Sequence, residues 1–160
     1  MIGITGGVGC GKSTVLNLIK ENFNAFIIMA KLASVIFSNP NKRIVLNSII
    51  HPVVKKEIVS MITQAKIDNK YDYIFVEAAL LLDDHYNVFC DETWYIYADE
   101  ETRRERLKSS RGYSDEKIDS VFASQLSDEQ FRSHCSRVID NSHDEQMTLG
   151  QLKEIIGYYD

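Results

Sequence analysis

Proline is scarce in this chain, at two residues of 160, alongside eight glycines and three cysteines. So little of either helix breaker excludes collagen-like and low-complexity architectures. Cys10, Cys90 and Cys135 lie far apart. They make no C-x-x-C pair and no disulfide framework, which fits a reducing cytoplasm. Long apolar runs are lacking too: the longest nearly uncharged one, residues 25–30, is far short of the roughly 20 residues of a membrane-spanning helix. No basic segment followed by an apolar one precedes the strand-like Ile2, Gly3, Ile4 and Thr5, so no secretory leader is expected. Positive charge is in deficit, with 18 Lys and Arg against 23 Asp and Glu for a net charge of −5. That argues against bulk binding to nucleic acid, which needs many cation–phosphate contacts. Nor do the aromatics alternate with basic residues as a base-stacking surface would require. The remaining composition, 44% hydrophobic and 26% charged, is that of one ordinary packed domain.

Strand and helix patterns alternate along this domain. Residues 1–5, 25–30, 73–76, 93–98 and 137–140 read as short buried strands. Helices are expected over 12–22, 32–37, 42–65, 100–109, 115–126, 128–135 and 149–158. His51-Pro52 marks a break in the third of these, because a residue before proline avoids the α region. Ser114 is a plausible N-cap for the fifth. Alternation of this kind predicts a parallel sheet covered on both faces, with the site at the carboxyl ends of the strands.

The first such end carries Gly6-Gly7-Val8-Gly9-Cys10-Gly11-Lys12-Ser13, followed by Thr14. It matches G-x-x-x-x-G-K-[ST] between a strand and a helix. Glycines let successive backbone N–H groups converge on an anion, and the helix N-terminus adds partial positive charge. Residues 7–14 are therefore the candidate nucleotide site. Lys12 supplies a full charge to the β- and γ-phosphates, and Ser13 offers a hydroxyl to Mg²⁺. Cys10, at a helix N-terminus, is either a redox-active thiol or a small residue that fits the loop. A nucleoside triphosphate with Mg²⁺ is the ligand this loop predicts. The fold expected is a three-layer α/β P-loop NTPase with a five-stranded parallel sheet.

A phosphate loop alone does not separate a GTPase, an ATPase motor and a small kinase. The fourth strand is followed by Asp99-Glu100-Glu101-Thr102, not by the N-K-x-D-type sequence with which GTPases read guanine. Four further stretches are informative. They are FSNPNKRIVLNSIIHPVV (37–54), YIFVEAALLLD (73–83), WYIYADEETRRERL (94–107) leading to Arg111-Gly112-Tyr113-Ser114, and Ala123-Ser124-Gln125 before Val138-Ile139-Asp140-Asn141-Ser142. In this order, and with the Ile50-His51-Pro52 element, the chain resembles the dephospho-coenzyme A kinases nearly end to end. The resemblance implies ATP-dependent phosphorylation of the ribose 3′-hydroxyl of dephospho-coenzyme A. It also implies a core (1–30, 67–103, 131–160), a substrate lobe (31–66) and a lid (104–130). The alternatives are another small-molecule or nucleotide kinase, or an ATP-binding protein with impaired chemistry. A small-molecule substrate, no nucleic-acid or membrane partner, and a monomer or weak homo-oligomer are expected.

The chain also departs from the family pattern. The second strand of the family ends in Asp-Ala-Asp, whose second Asp is the expected general base. Here Met29, Ala30 and Lys31 stand there, and the following residues match a family segment further on. The resemblance thus implies residues missing between Ala30 and Lys31, through omission or through a genuine deletion. Glu77 falls where the family has Asp at the end of the third strand. It either serves the magnesium or acceptor side of the site, or caps a helix or pairs with Lys12. In the lid, Arg106 matches a family arginine, Arg111 lies one step late of another that falls on Ser110, and a third falls on Val121. Arg106 and Arg111 are the candidate phosphate-neutralising residues of a cluster with Arg103 and Arg104, and Arg132 is a weaker one. The competing reading is a solvated helix face balanced by Glu100, Glu101 and Glu105. His51 reads as an architectural histidine. The Asp140-Asn141-Ser142 turn would meet adenine mainly through backbone.

Overall fold

Five short apolar runs, each followed by a helical segment, fold into one sheet with every strand parallel. The computed structural model describes residues 1–30, 40–78 and 86–157. In chain order the elements are β1 (Ile2–Thr5), α1 (Lys12–Asn22), β2 (Ala25–Ala30), α2 (Pro40–Asp68) and β3 (Tyr73–Ala78). A 3₁₀ turn (Tyr86–Phe89) leads to β4 (Glu92–Tyr97), α3 (Glu100–Arg111), α4 (Asp115–Ala123), α5 (Asp128–His134), β5 (Arg137–Asp140) and α6 (Glu145–Ile156). The sheet order is β2-β3-β1-β4-β5. From β1 the chain goes to the sheet edge at β2, returns to fill in β3 between them, and then crosses to the other side of β1. The carboxyl end of β1 is therefore the switch point, where such sheets open a crevice.

Side-chain alternation sorts the two faces. Phe75 of β3, Trp94 and Ile96 of β4 and Ile139 of β5 join Val15 and Ile19 of α1 and Leu152 and Ile156 of α6 in one core. Ile28 of β2 and Ile74 and Val76 of β3 face the other way, onto Ile58, Ile62 and Ala65 of α2. Burial of each such side chain contributes roughly 1.5–3 kcal/mol. Two layers of helix around one parallel sheet result, as the sequence pattern predicts.

Several boundaries differ from expectation, each for a local reason. The break at His51-Pro52 is overturned: α2 runs unbroken through Pro52. The later turns of α2 are anchored by Ile58, Ile62 and Ala65, and such packing outweighs one lost backbone bond. α6 starts at Glu145 rather than 149, because Asp144 accepts a hydrogen bond from the Met147 N–H at 2.9 Å. α4 stops at Ala123 rather than 126, where the Ser124 and Gln125 N–H groups bond three residues back, to Val121 and Phe122. α3 reaches Arg111 and ends at Gly112, whose left-handed φ of 62° lets its N–H reach the Lys108 carbonyl at 3.0 Å. The helix expected over 32–37, the Ala30–Lys31 junction and the side chain of His51 lie outside the described residues.

Two of the three thiols answer to burial alone or chiefly. Burial pushes Cys90 up to about 11 and Cys135 up to about 12, since an apolar setting disfavours the thiolate. At pH 8 the reactive thiolate should be roughly one part in a thousand or less at both positions. Iodoacetamide at pH 8, followed by intact mass, should leave Cys90 and Cys135 largely unmodified in the native chain. The rate should climb about tenfold per pH unit between 8 and 10. Labelling of both at the rate of a free thiol would contradict this burial.

Candidate active site

Helix N-termini need partners for their first N–H groups. Asp99, Ser114, Ser127 and Asp144 supply them to α3, α4, α5 and α6 through side-chain oxygens. α1 is built differently. Its N-cap is Gly11, which has no side chain to offer, and its first turn holds no acidic residue. This terminus lies at the end of β1, at the switch point. Free N–H groups, the helix dipole and Lys12 in the first turn make it a receptor for an anion. Position 11 admits only glycine: φ is 84°, and a Cβ there would lie 2.2 Å from Asn141 Nδ2.

The loop is held from three distant parts of the chain. Asn141, just after β5, is 2% exposed. Its Nδ2 donates to the Cys10 carbonyl at 2.9 Å, and its Oδ1 accepts from the Thr148 hydroxyl of α6 at 3.0 Å. Arg106 of α3 donates to the Asn141 carbonyl at 2.8 Å and to the Cys10 carbonyl at 3.4 Å. Arg103, one turn earlier, donates from Nε to the Val8 carbonyl at 2.9 Å. Gln125, after α4, accepts from the Val8 N–H at 3.1 Å. Lys12 folds back on its own loop, its Nζ donating to the Gly6 carbonyl at 2.8 Å and to that of Gly7 at 3.4 Å.

The candidate residues fall into two groups. Residues 7–14, Lys12 and Arg106 converge on one loop. Ser13 is exposed in the first turn of α1, and its hydroxyl has no partner among the described residues. Glu77 lies on the strand beside β1, in register with Ile4 on one side and Met29 on the other. Arg111 is not brought to the loop: it ends α3, exposed, with its guanidinium 5.9 Å from the Tyr113 ring centre. Arg132 pairs with Asp128 at 2.7 Å and lies over the Tyr97 ring at 5.0 Å. The Asp128 carboxylate raises its pKa further. Cys10 is 1% exposed and joins the core against β1 and α1, as a small residue that fits the loop would.

Among the described residues, no three His, Cys, Asp or Glu side chains gather into a metal cage. Such a cage is not what magnesium requires at a nucleotide, where one or two protein oxygens, phosphates and water complete its shell. The free Ser13 hydroxyl beside Lys12 fits that donor set.

Three residues that hold the loop are not singled out by the sequence. Asn141 read as a weak side chain, Gln125 as part of a resemblance and Arg103 as one of a charged run. The one usable signal was a polar Asn directly after a buried strand, with a Thr one helix turn into α6.

The comparisons with known proteins agree with this geometry. A sequence model of the CoaE family, dephospho-CoA kinase, matches residues 27–146. The dephospho-CoA kinase of Wolbachia sp. subsp. Brugia malayi is 30% identical, over 98% of this chain and 96% of its own length. That of Enterococcus faecalis is 29% identical, over 96% and 94%. Both alignments run over 189 positions, more than the 160 residues here, so these relatives carry sequence that this chain lacks. In fold, the crystal structure of TT1252 from Thermus thermophilus superposes with a TM-score of 0.83 at 21% identity, covering 99% of this chain and 97% of that one. A dephospho-CoA kinase from Campylobacter jejuni superposes at 0.61, with 17% identity and 98% and 95% coverage. A family pattern that runs from β2 past β5 and Asn141, and relatives matched over nearly their whole length, make this chain a member of the dephospho-CoA kinase family.

Proposed function

We propose that this chain transfers the γ-phosphoryl group of ATP to the ribose 3′-hydroxyl of dephospho-coenzyme A. The observation that carries the reading is the uncapped N-terminus of α1, with Lys12 in its first turn and Arg106 bonded to the loop behind it. Phosphoryl transfer asks little covalent chemistry of a protein. It asks for alignment and for charge to offset the three phosphoryl oxygens.

The residues divide that work. Backbone N–H groups of residues 9–14 would hold the β-phosphate. Lys12 leaves the Gly6 and Gly7 carbonyls for the β- and γ-oxygens, exchanging two dipoles for full negative charges. Arg106 keeps the Cys10 peptide in place and adds positive charge behind the loop. Ser13 would hold magnesium, which when bound offsets phosphate charge. Glu77, at the carboxyl end of β3, is the carboxylate of the acceptor side. Residues 104–130 would form the lid and residues 31–66 the substrate lobe, in a cytoplasmic enzyme that is a monomer or weak homo-oligomer. Arg111 belongs to the proposal only as a lid residue.

One observation supports a second reading, an ATP-binding protein with impaired chemistry. Met29, the last residue but one of β2, is 44% exposed and carries no carboxylate. The matched relatives are also longer within the aligned span. We infer that the difference falls between Ala30 and Lys31 and takes the expected base with it.

Two outcomes follow. Lys12→Ala should lower turnover by about a hundredfold or more, with a melting temperature within a few degrees, because among the described residues Lys12 bonds only to loop carbonyls. Turnover within about tenfold of the parent would remove the phosphate loop from the chemistry. ADP release with dephospho-coenzyme A, shikimate, deoxyadenosine and water as acceptors should be fastest with the first. Preference for another acceptor would replace the substrate assignment, and tight ATP binding with no turnover on any of them would establish the second reading.

A further inference from the structure

We propose that Arg103 is the cation that meets the terminal phosphate of the bound nucleotide, held ready for it by Gln125. The inference rests on reading the loop as a triphosphate site.

Arg103 and Arg104 are neighbours in one charged run, yet the fold gives them opposite surroundings. Arg104 is neutralised by acids: Glu100 at 2.8 Å, Asp119 at 2.5 Å and Asp115 at 3.7 Å. Arg103 meets no carboxylate among the described residues. Its Nε donates to the Val8 carbonyl at 2.9 Å, and its Nη2 donates to Gln125 Oε1 at 3.1 Å. Its Cζ stands 4.1 Å from the centre of the Phe122 ring. Nη1 makes no hydrogen bond among the described residues. A carbonyl, an amide oxygen and an aromatic face thus fix the guanidinium plane and leave one edge for a ligand.

Gln125 does two things with one atom. Its Oε1 accepts from Arg103 and also from the Val8 N–H at 3.1 Å. Val8 is therefore gripped at both its backbone polar groups, and the turn after α4 is tied to the loop. The fit is close: a Cβ on Gly7 would lie 2.6 Å from Arg103 Nη2 and 3.1 Å from Gln125 Oε1.

Charge turns this geometry into a prediction. Lys12 Nζ rests on the Gly6 and Gly7 carbonyls, and Arg103 rests on that of Val8. Two full cations thus sit on three consecutive carbonyls of one lip, and neither has an acid partner among the described residues. Carbonyl dipoles offset only part of their mutual repulsion. A surface arginine with nothing else to bind settles among nearby acids, as Arg104 does with Glu100 of its own helix and Asp115 and Asp119 of α4. Arg103 instead faces the loop, with an unused pair of N–H groups. A polyanion reaching past the amides of α1 to this lip would bring its last phosphate between Lys12 and Arg103, and planar guanidinium suits phosphate oxygens.

The test is calorimetry of the full chain with magnesium, titrating ATP and ADP separately. Arg103→Ala should weaken ATP by about tenfold or more while ADP stays within about threefold, because only ATP carries the terminal phosphate. Arg103→Gln keeps a donor for the Val8 carbonyl without the charge. It should show the same selective loss, and it provides the measurement should the alanine variant fail to fold. Arg104→Ala should leave the ATP-to-ADP ratio unchanged. Equal losses for both nucleotides, or no loss for either, would overturn the proposal and make Arg103 a brace for the loop. A parent chain that binds neither nucleotide would instead bring down the triphosphate reading itself.

Discussion

An unpartnered helix N-terminus, with N–H groups turned towards a crevice and a lysine in its first turn, is the constraint around which the rest of this molecule is arranged. Such a terminus is costly unless something negative reaches it. The chain shows that it can cap helices, doing so with Asp or Ser at α3, α4, α5 and α6. At α1 it places glycine and excludes acids from the first turn. Everything around the loop then works to keep it open and rigid, since a nest of backbone amides is only as selective as its geometry is fixed.

That rigidity comes from far along the sequence. Asn141 lies 131 residues from the Cys10 carbonyl it holds, Gln125 is 117 from Val8, and Arg106 is 96 from Cys10. Each comes from the segment following the carboxyl end of β4 or β5, or from the turn after α4. Sheet order thus does chemical work: by placing β4 and β5 on one side of β1, it brings their following segments to one loop. Buried, fully bonded polar groups of this kind specify one arrangement, because every alternative leaves one of them without a partner. Asn141, with its Nδ2 on Cys10, its Oδ1 on Thr148 and its N–H on Tyr97, is the clearest example.

What the sequence made legible follows the same division. Local chemistry was readable. The glycine loop, its lysine and serine, the five strands and the limits of α1 all follow from spacing, period and turn residues within a dozen positions. Contacts across a hundred residues were not. Arg103, Arg104 and Arg106 look alike in a charged stretch, and only the fold assigns one to acids and two to the loop. Arg111 matched the pattern one residue late, and it stands exposed at the end of α3. Pro52 misled because a local rule for proline was outweighed by tertiary packing of the later turns of α2. The departure at Met29 was visible at once. Its consequence depends on the junction with Lys31, outside the described residues.

The account stands on recognition of a phosphate tail by the first loop, whatever base is attached to it. Displacement of bound ATP by inorganic tripolyphosphate with magnesium, set against displacement by adenosine, tests this most directly. The account requires tripolyphosphate to compete with ATP for one site and adenosine to be the far weaker competitor. Displacement by adenosine with no effect of tripolyphosphate would place the binding energy away from Lys12 and the α1 terminus, and would contradict it.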